Sequence, residues 1–155
     1  MILTCRMSAN QGGPYATDGE VCVLDEYGRS DFNRLQYRAR PKCYYPQCEP
    51  VAYCMFDLLH AGGTSLVEVP LALRKSLLAD LFTPKPTHDL LVVDSLQGVG
   101  LELYALAVKY ELEGLVANRC DSTYLSGERC ELWRKLKRPG AVPAERFAHK
   151  GRNTP

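Results

Sequence analysis

Hydrophobic residues fall along this chain in short runs separated by turn-forming residues, and the runs alternate between strand-like and helix-like spacing. Residues 1–17 show neither period, and Gly12-Gly13-Pro14 predicts an irregular leader. Order is expected from Asp18-Gly19-Glu20. Glu20–Leu24 (EVCVL) is rich in β-formers and reads as a strand. A turn over Asp25–Ser30 follows. Asp31 is placed to cap a short helix reaching about Arg38, with Phe32 and Leu35 on one face. The prolines of residues 39–50 predict a connector. Val51–Leu59 (VAYCMFDLL) is the strongest apolar strand, closed by a turn at Ala61-Gly62-Gly63.

Pro70–Phe82 repeats Leu71, Leu78 and Phe82 at helical spacing, with Arg74 and Lys75 between them, and Thr83–Thr87 ends that helix. Leu90–Asp94 reads as a strand. Val99–Glu111 reads as a second amphipathic helix carrying Leu103, Leu106, Ala107 and Tyr110. Gly114–Asn118 and Leu132–Lys137 read as two further strands, joined by a polar loop that turns at Ser126-Gly127. Strands alternating with helices suit a parallel sheet. The short turns and irregular connectors suit an α+β arrangement at least as well.

Composition narrows the class. The 155 residues suffice for one domain with a core, and 46% hydrophobic with 24% charged residues is ordinary for a globular protein. No apolar run has the length of a membrane span, and the first residues make a poor signal peptide, so no membrane partner and a cytoplasmic location are expected. Seven cysteines without a pairing rhythm read as free thiols. Cys43 and Cys48 bracket four residues with no second pair, so no structural zinc is expected. Net charge is only +1, but Glu128–Arg152 holds eight Lys or Arg against three Glu, a basic end suited to a phosphate backbone. A solvated tail fits that charge equally well.

The stretch with the most chemistry is Glu113–Lys137. Glu113 leads one strand, and Lys135 and Lys137 alternate onto one face of the other. A carboxylate facing two lysines suits a metal-bridged polyphosphate, with the carboxylate on the cation and the ammoniums on phosphate oxygens.

Four stretches in order, DGEVCVLDEYGRSDFNRLQ (18–36), VAYCMFDLLHAGG (51–63), VPLALRKSLLADLF (69–82) and YELEGLVANRCDSTYLSG with LWRKLK (110–137), resemble the adenylation domain of ATP-dependent DNA ligases. The likeness is to bacterial ligases of the end-joining repair type and their small stand-alone relatives. It implies antiparallel sheets flanked by helices, with a nucleotide cleft between the sheets. It also implies ATP and Mg2+ (or Mn2+) as cofactors, nicked double-stranded DNA as partner, and strand sealing through lysyl-AMP and DNA-adenylate. By the same resemblance Glu20 serves the ribose and metal, Phe56 stacks on adenine, and Arg119 joins the nucleotide-binding set. Glu113 binds the metal, while Lys135 and Lys137 contact the α-phosphate. For Phe56 taken alone, core packing would be the simpler reading.

Two departures shape the expectation. The family's nucleophilic lysine, in Lys-x-Asp-Gly-x-Arg, belongs before the Asp-Gly-Glu stretch, whereas the first lysine here is Lys42. The family's Ala-Lys-Arg is Ala117-Asn118-Arg119 here. The chain therefore reads as a leader (1–17), a partial adenylation domain (18–138) incomplete at its N-terminus, and a basic tail (139–155) with no OB-fold domain. Such a fragment is expected to be inactive alone unless another polypeptide supplies the missing lysine. A non-catalytic nucleotide- or DNA-binding module, or a fragment of an RNA ligase or capping-type nucleotidyltransferase, is the alternative.

Overall fold

A computed structural model describes residues 2–5, 14–40, 45–82, 87–127 and 131–141. Its elements are β1 (Ile2–Cys5), β2 (Tyr15–Cys22), α1 (Phe32–Ala39), β3 (Ala52–Ala61), β4 (Thr64–Ser65), α2 (Leu71–Phe82), β5 (Leu90–Val92), α3 (Gly100–Lys109), β6 (Gly114–Asn118) and β7 (Trp133–Lys137). The chain divides into two compact units, one of residues 1–95 with 120–126, the other of 96–119 with 127–155.

The first unit is built on a five-stranded sheet in which β1, β2, β3 and β4 pair antiparallel in that order and β5 joins β3 in parallel. The leader is therefore not wholly irregular. Ile2–Cys5 pairs with Tyr15–Asp18, and β2 begins at Tyr15, ahead of the expected start at Asp18. The cause lies in the period of two: Tyr15 and Thr17 are buried while Ala16 and Asp18 are half-buried, so these residues already alternate as a strand. Gly12-Gly13-Pro14 masks that pattern only by preceding it.

The core lies between the sheet and α2. Tyr15, Tyr53, Met55, Leu58, Leu66, Leu78 and Phe82 form one buried cluster, with the Tyr15 and Phe82 rings edge to face at 5.6 Å. Each large apolar side chain so buried contributes about 1.5–3 kcal/mol. Gly19 gives the Tyr53 ring room to cross β2, because a Cβ there would lie 2.7 Å from that ring and 2.6 Å from the Cys54 carbonyl oxygen. The Tyr53 hydroxyl then donates to the Thr17 carbonyl at 3.1 Å. Asp31 caps α1 as expected, accepting from the N–H groups of Asn33 and Arg34.

One charged residue sits on the apolar stripe of α2. Arg74 is fully buried, and its Nε and Nη2 each lie 2.8 Å from an oxygen of the equally buried Asp57 on β3. Its Nη1 donates to the carbonyls of Val69 and Ser122. Residues 120–126 are bound to the start of α2 and the segment before it at further points. Leu71 N–H donates to Ser122 O, Ala72 N–H to Cys120 O, and Tyr124 N–H to Val67 O.

The Tyr124 hydroxyl completes this seam by donating to Asp18 Oδ2 at 3.0 Å. Burial, and then the neighbouring Asp18 carboxylate, push its pKa up to about 12. A phenol raised from its usual value near 10 stabilises the fold fully below that pH and loses the contribution as pH climbs through 12. Phenolate absorbance should thus show one of the nine tyrosines ionising late in the native chain. Tyr124→Phe should delete that late step. Its persistence in the variant would reassign it.

The second unit comprises α3 and the antiparallel hairpin β6–β7. Its sequence-predicted stripe is mostly open: Ala107 is buried, whereas Leu106 and Tyr110 are about half exposed. Among the described residues no helix is long and apolar enough to cross a membrane. The expected helix break at Thr83–Thr87 falls largely outside the described residues, as do Cys43 and the basic residues Arg129, Arg146, Lys150 and Arg152.

Candidate nucleotide and phosphate site

Six side chains are the candidates, and they divide between the two units. In the first, Glu20 on β2 stands directly opposite Cys54 on β3, which puts both side chains on one face of the sheet. Glu20 is exposed. Burial, then the neighbouring Cys22 thiol and the Glu20 carboxylate, push the Cys54 thiol up to about 11. That thiol stays protonated at neutral pH and is a poor nucleophile.

Phe56 occupies a special place in β3. Met55 pairs with Gly19 and Asp57 with Asp18, so Phe56 is the extra residue of a β-bulge. Bulges re-aim side chains and are over-represented beside active sites. Phe56 is only half-buried and does not belong to the core cluster.

In the second unit the hairpin register pairs Gly114 with Lys137, Val116 with Lys135 and Asn118 with Trp133. Directly opposed residues share a face, so Lys135 and Lys137 lie on one side together with Val116, Asn118 and Trp133. Both lysines are exposed. Glu113 precedes β6 and its Oε1 lies 3.4 Å from Lys137 Nζ, with both side chains about half exposed. Glu113 is seen in an ion pair with Lys137, whereas the sequence pattern set it against both lysines.

Backbone geometry holds that carboxylate in place. Gly114 has φ +151°, and a Cβ there would lie 2.1 Å from the Leu136 carbonyl oxygen, so only glycine lets β6 start this close to β7. Arg138, one of the eight basic residues of the 128–152 run, folds back onto the chain's own backbone. Its guanidinium donates to the carbonyls of Leu112 and Glu111, and its backbone N–H donates to Glu113 O. Arg134 likewise pairs with Glu131 at 3.3 Å. Arg119 follows β6, is exposed, and its N–H donates to Leu132 O at 3.0 Å.

The donor set suits magnesium only in company. Among the described residues no three His, Cys, Asp or Glu converge on one point. Magnesium is commonly held by one or two carboxylates with substrate phosphates and water supplying the rest, and Glu113 meets that requirement. One buried acceptor is left over on the lysine face: Asn118 Oδ1 has no hydrogen-bond partner among the described residues. It suits a hydroxyl or ammonium donor and not a phosphate oxygen.

Residues 6–137 match the family model of the ATP dependent DNA ligase domain. The chain belongs to that family. It is 33% identical over 119 residues to the SPbeta prophage-derived DNA ligase-like protein LigB of Bacillus subtilis, an alignment covering 77% of this chain and 42% of that protein. Against the multifunctional non-homologous end joining DNA repair protein LigD of Mycobacterium tuberculosis, identity is 35% over 120 residues, covering 77% of this chain and 14% of LigD. The solved structure of mycobacterial DNA ligase D complexed with ATP and MES superposes with a TM-score of 0.65 at 33% identity, covering 80% of this chain and 38% of the other. This ligase-family chain thus spans less than half the length of each of these relatives. The α+β expectation, antiparallel sheets with flanking helices, agrees with the fold and its structural neighbours, and the matched family is that of ATP-dependent DNA ligases.

The resemblance singled out Glu20, Phe56, Glu113, Arg119, Lys135 and Lys137 but gave no hint of the supports beneath them. Arg74, Lys75, Tyr124 and Arg138 are those supports. A signal existed for one pair: a lone carboxylate inside the apolar run VAYCMFDLL and an arginine on the apolar stripe of α2 are complementary.

Proposed function

We propose that this chain carries part of the adenylation chemistry of an ATP-dependent DNA ligase: in the first unit Glu20 and Phe56 serve the nucleoside, and in the second Glu113, Lys135 and Lys137 serve metal and phosphates. The observation that carries the reading is the hairpin face that holds two exposed lysines, one of them 3.4 Å from the Glu113 carboxylate. Two ammoniums there attract a polyphosphate and offset charge that builds at phosphorus during displacement. Glu113, released from Lys137 when phosphate takes that lysine, is free to hold a divalent cation, which would supply charge neutralisation across the phosphates. Phe56, re-aimed by its bulge, offers a ring face to adenine, and Glu20 an acceptor for ribose hydroxyls. Arg119 adds a further cation for the nucleotide. Nicked duplex DNA is the substrate this chemistry serves.

The 155 residues contain no lysine before Lys42, so the covalent step is assigned to a lysine supplied by another segment or polypeptide. The chain alone should bind ATP in the presence of magnesium and form no covalent adenylate. Equilibrium binding with labelled ATP, followed by denaturing electrophoresis, measures both. A label that survives denaturation and is released by acid would mean a lysine within these residues acts as nucleophile. Absence of binding would remove the nucleotide assignment altogether.

A further inference from the structure

The direction of Phe56 depends on a defect in the sheet, and a defect needs something to keep it in register. β3 passes from the Met55–Gly19 pair to the Asp57–Asp18 pair with Phe56 as the extra residue. A bulge disrupts the ladder locally, and its alternative is a one-residue slip that sends every later side chain to the opposite face. Two adjacent residues of α2 grip this point. Arg74 holds the Asp57 carboxylate through two 2.8 Å contacts. Lys75 extends its half-buried side chain to the bulge itself, where Nζ donates to the Phe56 carbonyl at 2.9 Å.

Keeping a lysine here is not free of cost. Burial lowers the Lys75 pKa, while the neighbouring Asp57 carboxylate works to restore it. An ammonium held in a partly desolvated place therefore has an anchored role, and the group it anchors is the backbone of the residue assigned to the adenine.

We propose that Lys75 is a positioning residue for nucleotide binding: by fixing the Phe56 carbonyl it holds the bulge that aims the Phe56 ring at the base. The proposal rests on the assignment of Phe56 to adenine given above. It makes Lys75 a contributor to base recognition without any contact to phosphate, unlike Lys135 and Lys137.

Two measurements on the full chain test it. The first needs no ligand: amide hydrogen exchange should speed up at least ten-fold over Met55–Leu58 in Lys75→Met, and stay near the unchanged rate in Lys75→Arg, which keeps a donor. Unchanged exchange in the folded Lys75→Met chain overturns the proposal. If Lys75→Met does not fold, Lys75→Gln, with a shorter donor, takes its place with the same criterion. The second is equilibrium binding of ATP, adenosine and inorganic tripolyphosphate. Lys75→Met should weaken ATP and adenosine about ten-fold or more and leave tripolyphosphate unchanged. Combined with Phe56→Ala it should add little to the loss from Phe56→Ala alone, since both act through one ring. Weakened tripolyphosphate binding would make Lys75 a direct phosphate ligand and overturn the proposal. If Phe56→Ala leaves ATP affinity intact, the adenine assignment fails, and the exchange result alone then shows whether Lys75 holds the bulge.

Discussion

Arg74→Leu should destabilise the chain by about 3–5 kcal/mol, the cost of removing one partner from a buried ion pair. Arg74 and Asp57 are both fully excluded from solvent, so the variant leaves a carboxylate in the interior with its principal counter-charge gone. It also strips donors from the Val69 and Ser122 carbonyls. Arg74→Lys should recover little, because an ammonium cannot reproduce two parallel contacts to Asp57 while still reaching both carbonyls. Asp57→Asn should cost less than Arg74→Leu, since it leaves the more weakly hydrated guanidinium with an amide oxygen and two carbonyls to bond. Urea unfolding followed by circular dichroism would rank the three. An Arg74→Leu chain within about 1 kcal/mol of the original would mean that Asp57 takes a proton or finds another donor, and that the ion pair is not what holds β3 to α2.

How much of this could be read from residues alone differs from element to element. Most strands and helices from Glu20 to Lys137 were legible because each carries its own period, as with VAYCMFDLL or the Leu71-Leu78-Phe82 spacing; the two-residue β4 (Thr64–Ser65) is too short to carry one. The leader was misread because β1 is only four residues long and its partner segment follows a Gly-Gly-Pro break. A strand that short is specified by its pairing with β2, which no local pattern reports. Lys135 and Lys137 were legible as a face for the same reason strands are, and the register opposite Gly114 and Val116 bears the alternation out. The bulge at Phe56 was not legible. It arises from an unequal count between two strands more than thirty residues apart in sequence. Arg138 shows the opposite failure: a basic residue in a basic run reads as surface charge, yet it is committed to the carbonyls of Glu111 and Leu112.

Joining a ligase-family segment that carries Lys-x-Asp-Gly-x-Arg in front of Asp18 should restore lysyl-AMP formation, and Glu113→Ala should then abolish it. On the proposed assignment the added segment supplies the nucleophile, while this chain supplies the carboxylate for the cation and the lysines for the phosphates. Lys135→Ala and Lys137→Ala should each cost on the order of 2.7–4 kcal/mol of transition-state stabilisation, the scale of losing one charge-stabilising donor. They need not be equal. Lys137 is the lysine that pairs with Glu113 at 3.4 Å, so removing it also frees the carboxylate and should shift the magnesium dependence, which Lys135→Ala should leave alone. Asn118→Lys should hold the rate or raise it, because a cation replaces a buried oxygen that has no hydrogen-bond partner among the described residues. Labelled-adenylate formation against magnesium concentration measures all four variants. A hybrid that adenylates itself equally fast with Glu113→Ala would reduce the Glu113–Lys137 pair to a surface contact of little worth and leave the lysines as the whole of the site.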